Sequence, residues 1–493
     1  MDVFEKKVLV VGGGKSGIAA SALLLSQGKQ VILYDGNGSL DVQTLTEKVQ
    51  AEEAALLEAE KAAGIPEKTV GEGSFAVRLG DFAADWEAEL SLVVLSPGVP
   101  TDLPFVTALA AHLPIWGEVE LAYRFARGRI AAITGTNGKT TTTALTGEIM
   151  KDYYESVFVV GNIGIPYTST AALTRPDSVT VAEISSFQLE TIDTFHPQVS
   201  AILNITPDHL SWHGSLEAYA AAKWKVLANL GVSGGVAVLD ACDDAVRAKI
   251  RELRARGGVP FRYIPIGGAS GLGADMRATC GTGAAAFRGD GGQLVVAWDG
   301  RVSDLVFVDD LQIKGGHNQQ NALAAAACAL VLGATDTAVG EGLLTFRPLE
   351  HRIEPAGLVD GVACYNDSKA TNVDATLVAL TAFLPTRPIV LLGGRDKGTD
   401  LAPLVAACEE NARAVVCFGE ARERFLAAFA GSAVSPVLSA GTMEEALDAA
   451  LSIAEDGDVI VLSPACASFD EFSCFEERGD VFKRLVADRA GKA

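Results

Sequence analysis

The chain has 493 residues, enough for about three domains at roughly 150 residues each. Forty basic and sixty-two acidic residues give a formal charge of −22, which argues against general nucleic-acid binding because such a surface repels phosphate backbones. With 49% hydrophobic and 21% charged residues, the composition is that of a globular protein and excludes disorder as the main state. A phosphorylated ligand must therefore be held by local features such as glycine loops, helix N-termini and single cations.

Two features argue against a membrane or secreted protein. The longest apolar run, 322–332, is shorter than the roughly 18 residues that a membrane span needs. The apolar stretch 8–11 ends at once in glycines, which is typical of a buried strand and not of a signal peptide. Eight scattered cysteines without a Cys-x-x-Cys pair indicate buried thiols in a reducing compartment. We therefore expect a cytoplasmic monomer without a membrane segment.

The first glycine-marked unit opens the chain. The apolar run 8–11 enters the glycine loop 12–17, and the run 31–35 is a second strand that ends in Asp35. A strand, a glycine loop, a helix and a strand in this order are typical of the start of a doubly wound sheet. The pattern would also suit NAD, but a glycine loop without further context is a weak signal for a dinucleotide.

Further apolar runs indicate that α/β alternation continues along the chain. The stretch 41–63, rich in Glu, Ala and Leu, predicts a solvated helix, and 266–300 predicts loops and short hairpins. Strands are predicted at 92–95, 130–134, 157–160, 179–184, 199–205, 389–392 and 459–462. In open α/β sheets ligands bind beyond the carboxyl ends of the strands. We therefore expect the site residues in the loops that follow these strands.

The strongest local signal is Gly135-Thr-Asn-Gly-Lys-Thr140. Backbone N–H groups of a glycine loop at a helix N-terminus form an anion site, and Lys139 adds a positive charge for the β- and γ-phosphates. The hydroxyl of Thr140 is a suitable ligand for Mg²⁺. Because the glycine spacing is two residues shorter than in the Walker pattern, a structural turn is the alternative.

This loop resembles that of the Mur ligases and their relative folylpolyglutamate synthase, which join an amino acid to a carboxylate through an acyl phosphate. Further segments that resemble the family follow in order along nearly the whole chain: Gly161–Gly164, Glu183–Glu190, Asn204–Leu210, Tyr219–Lys223, His317–Asn321, His351-Arg352, Asn366–Asn372 and Leu462–Asp470. The last three segments are similar to those of the members that add D-glutamate. The Asp-Asn-Pro-Arg motif of the members that add a diamino acid does not occur in the sequence.

The resemblance implies an α/β fold with three domains. Residues 1-117 would be a Rossmann-like domain that binds the UDP substrate, and residues 118-348 a central, P-loop-like ATPase sheet. Residues 349-493 would be a second Rossmann-like domain that binds the amino acid.

Catalytic roles also follow from the resemblance, alongside simpler interpretations of the same residues. Glu183 ends a predicted strand and suits Mg²⁺ beside a phosphate loop, although a lone strand-end glutamate is more often an ion-pair partner. A lone histidine such as His209 is more often structural, but the family assigns it to a second Mg²⁺. Lys223 lies on a predicted helix, where an ordinary surface lysine is the alternative; the resemblance implies a lysine carbamylated by CO₂. The implied catalytic residues are Lys139, Glu183, His209 and Lys223, and the implied ligands of the two Mg²⁺ ions are Thr140, Glu183, His209 and Lys223.

The resemblance also implies where ATP binds. Asn318 and Asn321 stand three apart on a predicted helix and so share a face, which would suit adenine; helix capping is the alternative for Asn318. Arg352 is assigned to phosphate and Asp367 to ribose. The loop residues assigned to ATP are Gly135, Thr136, Asn137, Gly138, Lys139, Thr140 and Thr141.

Two substrate sites complete the implied set. The UDP substrate is assigned to Gly14, Lys15, Ser16, Gly17, Asp35, Ser96, Pro97, Gly98, Asn162, Ser185 and Gln188. D-Glutamate is assigned to Thr371, Lys397, Ser468, Phe469 and Phe475. We expect Lys397 to be buried and to pair with one carboxylate, while Ser468 and the N–H of Phe469 hold the other.

The resemblance therefore implies a ligase of peptidoglycan precursor synthesis that uses ATP and two Mg²⁺ ions to join D-glutamate to UDP-N-acetylmuramoyl-L-alanine. Within the same class of ligases, the alternatives are a Mur ligase for another amino acid and a folylpolyglutamate synthase. The N-terminal glycine-marked unit and the segments of the last domain argue against a folylpolyglutamate synthase. A nucleotide-sugar-binding protein with an inactive centre is the alternative from another class, and the intact catalytic set argues against it. Nucleic acids and membranes are not expected as partners.

Overall fold

The computed structural model describes residues 3–66, 73–162, 164–231, 234–256, 260–267, 283–313, 315–347 and 349–491. In these ranges no helix has the length and apolar character needed to cross a membrane. The chain divides into two compact units, the first made of Met1–Leu311 with Gln319–Thr345 and the second of Gln312–Asn318 with Phe346–Ala493. The first unit contains two of the sheets described below, so a division into three domains stays a prediction.

The first sheet is parallel throughout and has the strand order β3-β2-β1-β4-β5. Its strands are β1 Lys7–Val11, β2 Val31–Asp35, β3 Phe75–Leu79, β4 Leu90–Leu95 and β5 Ile115–Gly117. The helices between them are α1 Lys15–Ser26, α2 Val42–Ala62 and α3 Pro104–Ala110. The strand order reverses between β1 and β4, and open α/β sheets bind ligands in the crevice at such a point. The glycine loop after β1 and the turn after β4 lie at this crevice.

The second sheet runs in the order β14-β13-β12-β11-β10-β9-β6-β8-β7. Its strands are β6 Arg129–Thr134, β7 Val157–Gly161, β8 Val179–Glu183, β9 Val199–Ile202, β10 Val236–Asp240, β11 Arg262–Ile266, β12 Ala285–Arg288, β13 Gln293–Trp298 and β14 Arg301–Phe307. Strands β6 to β11 are parallel, and β12 to β14 form antiparallel hairpins. The predicted hairpins in 266–300 are thus confirmed for the part that starts at 285, while 268–282 lie outside the described residues.

The helices of this region include the predicted helix that carries Lys223. They are α4 Glu118–Phe125, α5 Lys139–Lys151, α6 Ser186–Leu189, α7 Leu210–His213, α8 Leu216–Trp224, α9 Asp244–Ala255, α10 Gly316–Leu332 and α11 Asp336–Thr345. Strand β9 ends at Ile202 and not at the predicted 205. The backbone leaves the ladder there because the carbonyl of Asn204 accepts a hydrogen bond from the N–H of Thr136 instead.

The third sheet lies in the second unit, in the order β15-β16-β20-β17-β18-β19, with only its edge strand β15 antiparallel among the described strands. Its strands are β15 Glu354–Val359, β16 Val362–Asn366, β17 Ile389–Gly393, β18 Ala414–Phe418, β19 Val437–Ser439 and β20 Val459–Leu462. Its helices are α12 Val373–Ala382, α13 Ala402–Asn411, α14 Arg422–Phe429, α15 Met443–Ile453 and α16 Phe475–Ala490. The predicted α/β class with parallel-rich sheets is therefore confirmed.

One apolar core spans the first two sheets. Leu24 of α1 and Val119 of α4 belong to the same buried cluster as Tyr167, Ala182 and Ile130. Glu120 of α4 fixes the segment before β9, because its buried carboxylate accepts hydrogen bonds from the backbone N–H groups of 193–195. These hydrogen bonds lower the pKa of Glu120, although burial opposes them. The two sheets of the first unit therefore share a single interior.

The cysteines of the described residues are all free thiols. Five are buried, and Cys242 and Cys474 are half-buried. Burial raises the pKa of the Cys328 thiol to about 12, which keeps it protonated and unreactive. The predicted buried thiols are confirmed for these five, while Cys280 lies outside the described residues.

Candidate active site

The phosphate loop connects β6 to α5 at the carboxyl edge of the second sheet. Gly135 and Gly138 have positive φ angles of 148° and 84°, and Gly138 caps the N-terminus of α5. A side chain at Gly138 would be strained by this positive φ, and its Cβ, 2.3 Å from Oδ1, would displace the side-chain amide of Asn321. Lys139 begins α5 and donates a hydrogen bond from Nζ to the carbonyl oxygen of Thr136 at 2.8 Å. A glycine turn with a cation at a helix N-terminus is the arrangement that binds phosphate.

Asn204 holds this loop from the end of the neighbouring strand β9. Its Oδ1 accepts a hydrogen bond from the N–H of Asn137 at 2.7 Å, and its Nδ2 donates to the carbonyl oxygen of Asn137 at 3.0 Å. The hydroxyl of Thr136 donates to the carbonyl of Thr206 at 3.1 Å and accepts from its N–H at 3.0 Å. Contacts within the protein thus fix the shape of the phosphate loop. Sequence reasoning missed the role of Asn204, because its segment showed a resemblance but not what the amide contacts.

Lys223 lies directly against the phosphate loop. The residue is only 1% exposed, and its Nζ donates a hydrogen bond to the carbonyl oxygen of Gly135 at 2.7 Å. The same Nζ lies 4.6 Å from the centre of the Tyr219 ring. The alternative that Lys223 is an ordinary surface lysine is therefore wrong. Lys225, two residues later, is the exposed one, and its Nζ donates to the carbonyl of Glu190.

The surroundings of Lys223 favour its neutral form. Burial is the main cause that lowers the pKa of Lys223 well below its usual value, and the positive charge of Lys139 adds to it. The carboxylates of Asp208 and Glu183 oppose this shift but do not outweigh it. A neutral amine is a nucleophile, whereas an ammonium group is not. The environment of Lys223 therefore favours the neutral amine over the ammonium form.

Glu183, the last residue of β8, is buried beside a second predicted site residue. Asn162 donates from Nδ2 to Oε1 of Glu183 at 3.2 Å and from its backbone N–H to the carbonyl of Glu183 at 2.8 Å. Among the described residues Glu183 has no ion-pair partner, so the alternative that it is an ion-pair residue is not supported. The carboxylate instead lies next to an amide at the carboxyl edge of the sheet.

His209 caps α7 in the left-handed conformation, with a φ of 52°. Its Nε2 lies 3.6 Å from Oδ2 of Asp208, and its ring packs edge-on against Phe187 at 4.9 Å. No group of three His, Cys, Asp or Glu side chains gathers into a metal site within the described ranges. The predicted Mg²⁺ ligands thus form no closed cage, and their role as ligands stays a prediction.

Ser185 and Gln188 cap the short helix α6. Oγ of Ser185 accepts a hydrogen bond from the N–H of Gln188 at 3.3 Å, and Oε1 of Gln188 accepts from the N–H of Ser185 at 2.9 Å. This reciprocal pattern is a capping box. Gln188 also lines a narrow cleft together with Ser96 and Pro97 from the turn after β4. The structure therefore brings three of the residues predicted for the UDP substrate to one place.

Asp35 shapes the first glycine loop. Its Oδ2 accepts a hydrogen bond from the N–H of Gly13 at 2.7 Å, and its Oδ1 accepts from the N–H of Asn37 at 2.8 Å. A side chain at Gly17 is excluded, because its Cβ would lie 1.8 Å from the carbonyl oxygen of Gly12. The carboxylate is thus fixed at the crevice between β1 and β4.

Lys15 connects this loop to the second sheet. Lys15 begins α1, with Gly14 as its N-cap, and its Nζ donates a hydrogen bond to the carbonyl oxygen of Gly164 in the loop after β7. Ser16 follows in the first turn of α1, and Gly98 lies in the turn after β4. All of these predicted positions therefore border the crevice or its neighbouring loop.

Asn318 and Asn321 both lie in α10 and are almost completely buried. Oδ1 of Asn321 accepts a hydrogen bond from Oγ1 of Thr142 at 3.3 Å, one turn after the start of α5. Since α10 begins at Gly316, Asn318 lies inside the helix and the capping alternative is not supported. Thr141, also on α5, has a buried Oγ1 without a hydrogen-bond partner among the described residues.

In the second unit, Arg352 lies in a strained loop before β15, and Asp367 lies directly after β16. His351 and Ile353 flank Arg352 with positive φ angles of 61° and 46°, a conformation that the β-branched Ile353 in particular rarely adopts. Oδ1 of Asp367 accepts a hydrogen bond from the N–H of Ile353 at 3.3 Å, and Oδ2 accepts from Oγ of Ser463 at 2.8 Å. Burial raises the pKa of Asp367 to about 6, although the charge of Arg352 opposes the shift. Such strain is characteristic of functional loops.

The residues predicted for glutamate lie at one edge of the third sheet. Thr371 follows β16, Lys397 follows β17, and Ser468 and Phe469 follow β20; these strands are parallel neighbours. Phe475 begins α16. Ser468 is buried, whereas Phe469 is 62% exposed. The expectation of a buried Lys397 is wrong: the residue is exposed, because it lies four residues beyond the end of β17 in an irregular loop.

Arg478 is a second residue that sequence reasoning missed. It lies on α16 and is fully buried, with its guanidinium bonded to the loops after β16 and β20. Arginines are mostly exposed, so its place in the sequence gives no sign of this position.

Comparison with known proteins agrees with this arrangement. Residues 133–329 match the Mur ligase middle domain, and residues 351–466 match the Mur ligase, glutamate ligase domain. The chain is 42% identical over 489 residues to the UDP-N-acetylmuramoylalanine--D-glutamate ligase of Lachnoclostridium phytofermentans, with 99% of each sequence covered. It is 39% identical over 487 residues to the ligase of the same name from Pelotomaculum thermopropionicum, with 98% of each sequence covered.

Solved structures share the fold at lower sequence identity. The pseudomurein peptide ligase type C from Methanothermus fervidus has a TM-score of 0.57 at 18% identity, covering 98% of this chain and 100% of that one. The MurF ligase from Thermotoga maritima in complex with ADP has a TM-score of 0.54 at 17% identity, covering 83% and 91%.

The fold and the phosphate-loop site define an ATP-dependent ligase of peptidoglycan synthesis. The chain belongs to the Mur ligase family and, within it, to the UDP-N-acetylmuramoylalanine--D-glutamate ligases. The prediction of a Mur-type ligase is thereby confirmed, and the alternative of an inactive binding protein is wrong.

Proposed function

We propose that the chain joins D-glutamate to the alanyl carboxylate of UDP-N-acetylmuramoyl-L-alanine through an acyl phosphate. ATP transfers its γ-phosphoryl group to the carboxylate, which gives ADP and the acyl phosphate. The amine of D-glutamate then attacks the acyl carbon, loses a proton and expels phosphate. The names of the relatives support the substrates, and the geometry at the phosphate loop supports the phosphoryl transfer.

The observation that carries the proposal is the contact between Lys223 and Gly135. It puts a buried amine with a lowered pKa 2.7 Å from the first glycine of a phosphate loop. A charged Lys223 next to Lys139 would be unfavourable, because two like charges in a site of low dielectric repel each other, and this favours the neutral amine. Reaction of that neutral amine with CO₂ would give a carbamate and release a proton, so that Lys223 would supply an anionic oxygen.

The donors present are compatible with Mg²⁺. This ion usually takes one or two carboxylates together with waters and substrate phosphates, and it does not need a cage made of protein alone. Glu183, the hydroxyl of Thr140, His209 and a carbamate on Lys223 would hold two ions in this way. Bound Mg²⁺ offsets negative charge on the phosphoryl group that is transferred.

The chain's own residues position the reactants and offset charge. The loop Gly135–Thr141 would hold the β- and γ-phosphates, and Lys139 would face the transferred group, where a fixed positive charge stabilises the transition state. Asn318 and Asn321 would hold adenine, and Arg352 and Asp367 would hold phosphate and ribose.

The UDP substrate is assigned to the crevice of the first sheet and the adjoining cleft. Asp35, fixed by the N–H groups of Gly13 and Asn37, would accept a hydrogen bond from uracil or ribose. The N-terminus of α1 with Lys15 would bind the diphosphate. Gln188 and Asn162 would hold the sugar and the alanyl end. D-Glutamate would bind at the loops after β16, β17 and β20, with Lys397 on one carboxylate and Ser468 on the other.

Phosphate release tests the proposal directly. The full-length protein receives ATP, Mg²⁺ and UDP-N-acetylmuramoyl-L-alanine, and each candidate amino acid is added separately. We expect release with D-glutamate and almost none with L-glutamate, D-alanine or a diamino acid. Release only with another amino acid would overturn the assignment of D-glutamate, and release without any amino acid would contradict ligation.

The variant Lys397→Ala tests the amino-acid site. We expect the KM for D-glutamate to rise about tenfold or more, the range for loss of one charge-assisted hydrogen bond, with little change in the KM for ATP. Arg422→Ala, at a half-buried arginine of the same unit that pairs with Glu423, is the matched control and should change neither constant. Equal effects of Lys397→Ala on both constants would show that Lys397 serves the nucleotide.

A further inference from the structure

Arg478 stands out as a fully buried cation whose hydrogen-bond donors are all used. Its Nε donates to Oγ of Ser368 at 2.9 Å, and its Nη2 donates to the carbonyl oxygens of Ser368 at 2.7 Å and Cys466 at 3.2 Å. Its Nη1 donates to the carbonyl oxygens of Cys466 and Ala467, both at 3.2 Å. A guanidinium group has five N–H donors, and these five hydrogen bonds account for them.

These hydrogen bonds join the loops on which the amino-acid residues stand. Ser368 lies in the loop after β16, three residues before Thr371, and Ala467 lies in the loop after β20, immediately before Ser468. The loop after β17 also passes close by, because a Cβ on Gly394 would lie 3.0 Å from Nη1 of Arg478. One side chain therefore joins the loops after β16 and β20 by hydrogen bonds and lies close to the loop after β17.

The partners of Arg478 are neutral oxygens, so its charge is not cancelled by direct contact. Asp367, Asp470 and Glu471 attract the guanidinium without a hydrogen bond to it. Burial outweighs their effect and lowers the pKa of Arg478 to about 10. Burying a cation without a bonded carboxylate lowers the stability of the fold. This buried charge lies next to the loops that are predicted to bind glutamate. A ligand with negative charge would offset it.

The peptide between Ala467 and Ser468 shows how the orientation is transmitted. Its carbonyl oxygen accepts hydrogen bonds from Nη1 of Arg478 and from the N–H of Arg395 at 2.8 Å. In a planar trans peptide the N–H points opposite to the C=O. The N–H of Ser468 is therefore turned away from the guanidinium, and the two donors polarise it.

We propose that Arg478 is a positioning residue that adapts this site to an amino acid with two carboxylates. It fixes the loops that carry Thr371 and Ser468, turns the N–H of Ser468 outward, and keeps a positive charge behind both. It does not touch the substrate. This role rests on the proposed function, because it assumes that the loops after β16, β17 and β20 bind the amino acid.

The test compares Arg478→Met and Arg478→Lys in the full-length enzyme. Arg478→Met removes the charge and the donors; we expect the KM for D-glutamate to rise at least about tenfold, with the KM for ATP changed less than about twofold. Arg478→Lys keeps the charge with fewer donors, so its rise should be smaller. Arg489→Met is the control on the same helix: Arg489 pairs with Asp448 and Glu444, and its loss should leave both constants unchanged.

If Arg478 had only a structural role, the variants would give different results. They would lower kcat, or raise both KM values together, and that outcome overturns the proposal, as does an unchanged KM for D-glutamate in a folded Arg478→Met variant. If Arg478→Met does not fold, Ser368→Ala decides, since it removes the hydroxyl that accepts from Nε of Arg478 and donates to the carbonyl oxygen of Phe475, and leaves the other four hydrogen bonds of the guanidinium in place. We then expect a rise of about threefold in the KM for D-glutamate alone, and no rise overturns the proposal.

The proposed function fails separately from this inference. If wild-type enzyme uses another amino acid, the assignment of D-glutamate is wrong, and the same variants are then measured against that amino acid. A selective rise in its KM supports Arg478 as a positioning residue, and an unchanged KM rejects it.

Discussion

The Nζ of Lys223 and the carbonyl oxygen of Gly135 lie 2.7 Å apart, so that a buried amine is bonded to the first residue of the phosphate loop. The contact joins α8 to the loop between β6 and α5. Because the amine has a lowered pKa, its chemical state and the geometry of the loop depend on each other. A change at Lys223 should therefore alter both catalysis and the pH dependence of folding.

We expect Lys139→Ala to lower turnover at least about 100-fold, the scale for loss of one fixed charge that stabilises a transition state. The fold should persist, because Lys139 lies at the partly exposed start of α5. Steady-state phosphate release measures the effect. Lys151→Ala, at the exposed end of the same helix, should behave like wild type. Near-normal turnover of Lys139→Ala would remove the loop from the mechanism.

Lys223→Ala should be almost inactive, because no carbamate can form. Acetate at millimolar concentration should restore part of the activity by occupying the vacated anion position. Wild-type enzyme kept in CO₂-free buffer should lose activity and regain it when bicarbonate is added. Lys225→Ala is the control, since Lys225 is exposed and bonds only to the carbonyl of Glu190 among the described groups. Full activity in CO₂-free buffer would contradict carbamylation.

The lowered pKa of Lys223 also predicts how stability depends on pH. The unfolded chain binds a proton at this lysine up to a pKa of about 10.4, whereas the folded chain releases that proton well below this value. Between the two values the unfolded state binds more protons, so stability rises with pH. Lys223→Met removes this contribution. Urea unfolding in CO₂-free buffer at pH 7.5 and 9.5 should show a more positive pH slope for wild type, and parallel slopes would contradict the prediction.

Asn204→Ala tests whether the phosphate loop depends on its clamp. The change leaves the N–H and the carbonyl of Asn137 without these partners, and we expect a loss of about 1–3 kcal/mol in stability and a higher KM for ATP. Asn204→Asp keeps an acceptor for the N–H but loses the donor, so its effect should be intermediate. Asn229→Ala removes an amide that bonds to the carbonyls of Asp193 and Phe195 and is the control. An unchanged KM for ATP in both Asn204 variants would show that the phosphate loop keeps its shape without the side chain of Asn204.

Local patterns predicted much of the fold. Buried runs such as 8–11 and 389–392 are central strands, and they read as continuous apolar stretches because both of their faces are covered. The helix over 41–63 and the hairpins after 285 also follow from composition. The end of β9 was predicted too late, since the chain leaves the ladder at Ile202 for contacts with a loop almost seventy residues earlier in sequence.

The site was predictable where a short motif carries the chemistry, as in the phosphate loop. It was not predictable where the contact is long-range. The residues near Lys223 in the sequence do not show that it is buried. The residues near Arg478 do not show that it bonds to Ser368, about 110 residues earlier, and to Cys466, about 12 residues earlier. Lys397 was misjudged for a different reason, because a lysine assigned to a substrate carboxylate was expected to be buried, whereas it lies in an exposed loop.

The interior that runs from the first sheet into the second determines how this part of the molecule can be divided. A fragment that ends at 117 would expose Leu24 and its neighbours to water where Tyr167 and Val119 now cover them. Such a piece should precipitate when expressed alone. Calorimetry of the intact chain should accordingly show the first and second sheets melting in one transition, so that the crevice between β1 and β4 and the phosphate loop are lost at the same temperature.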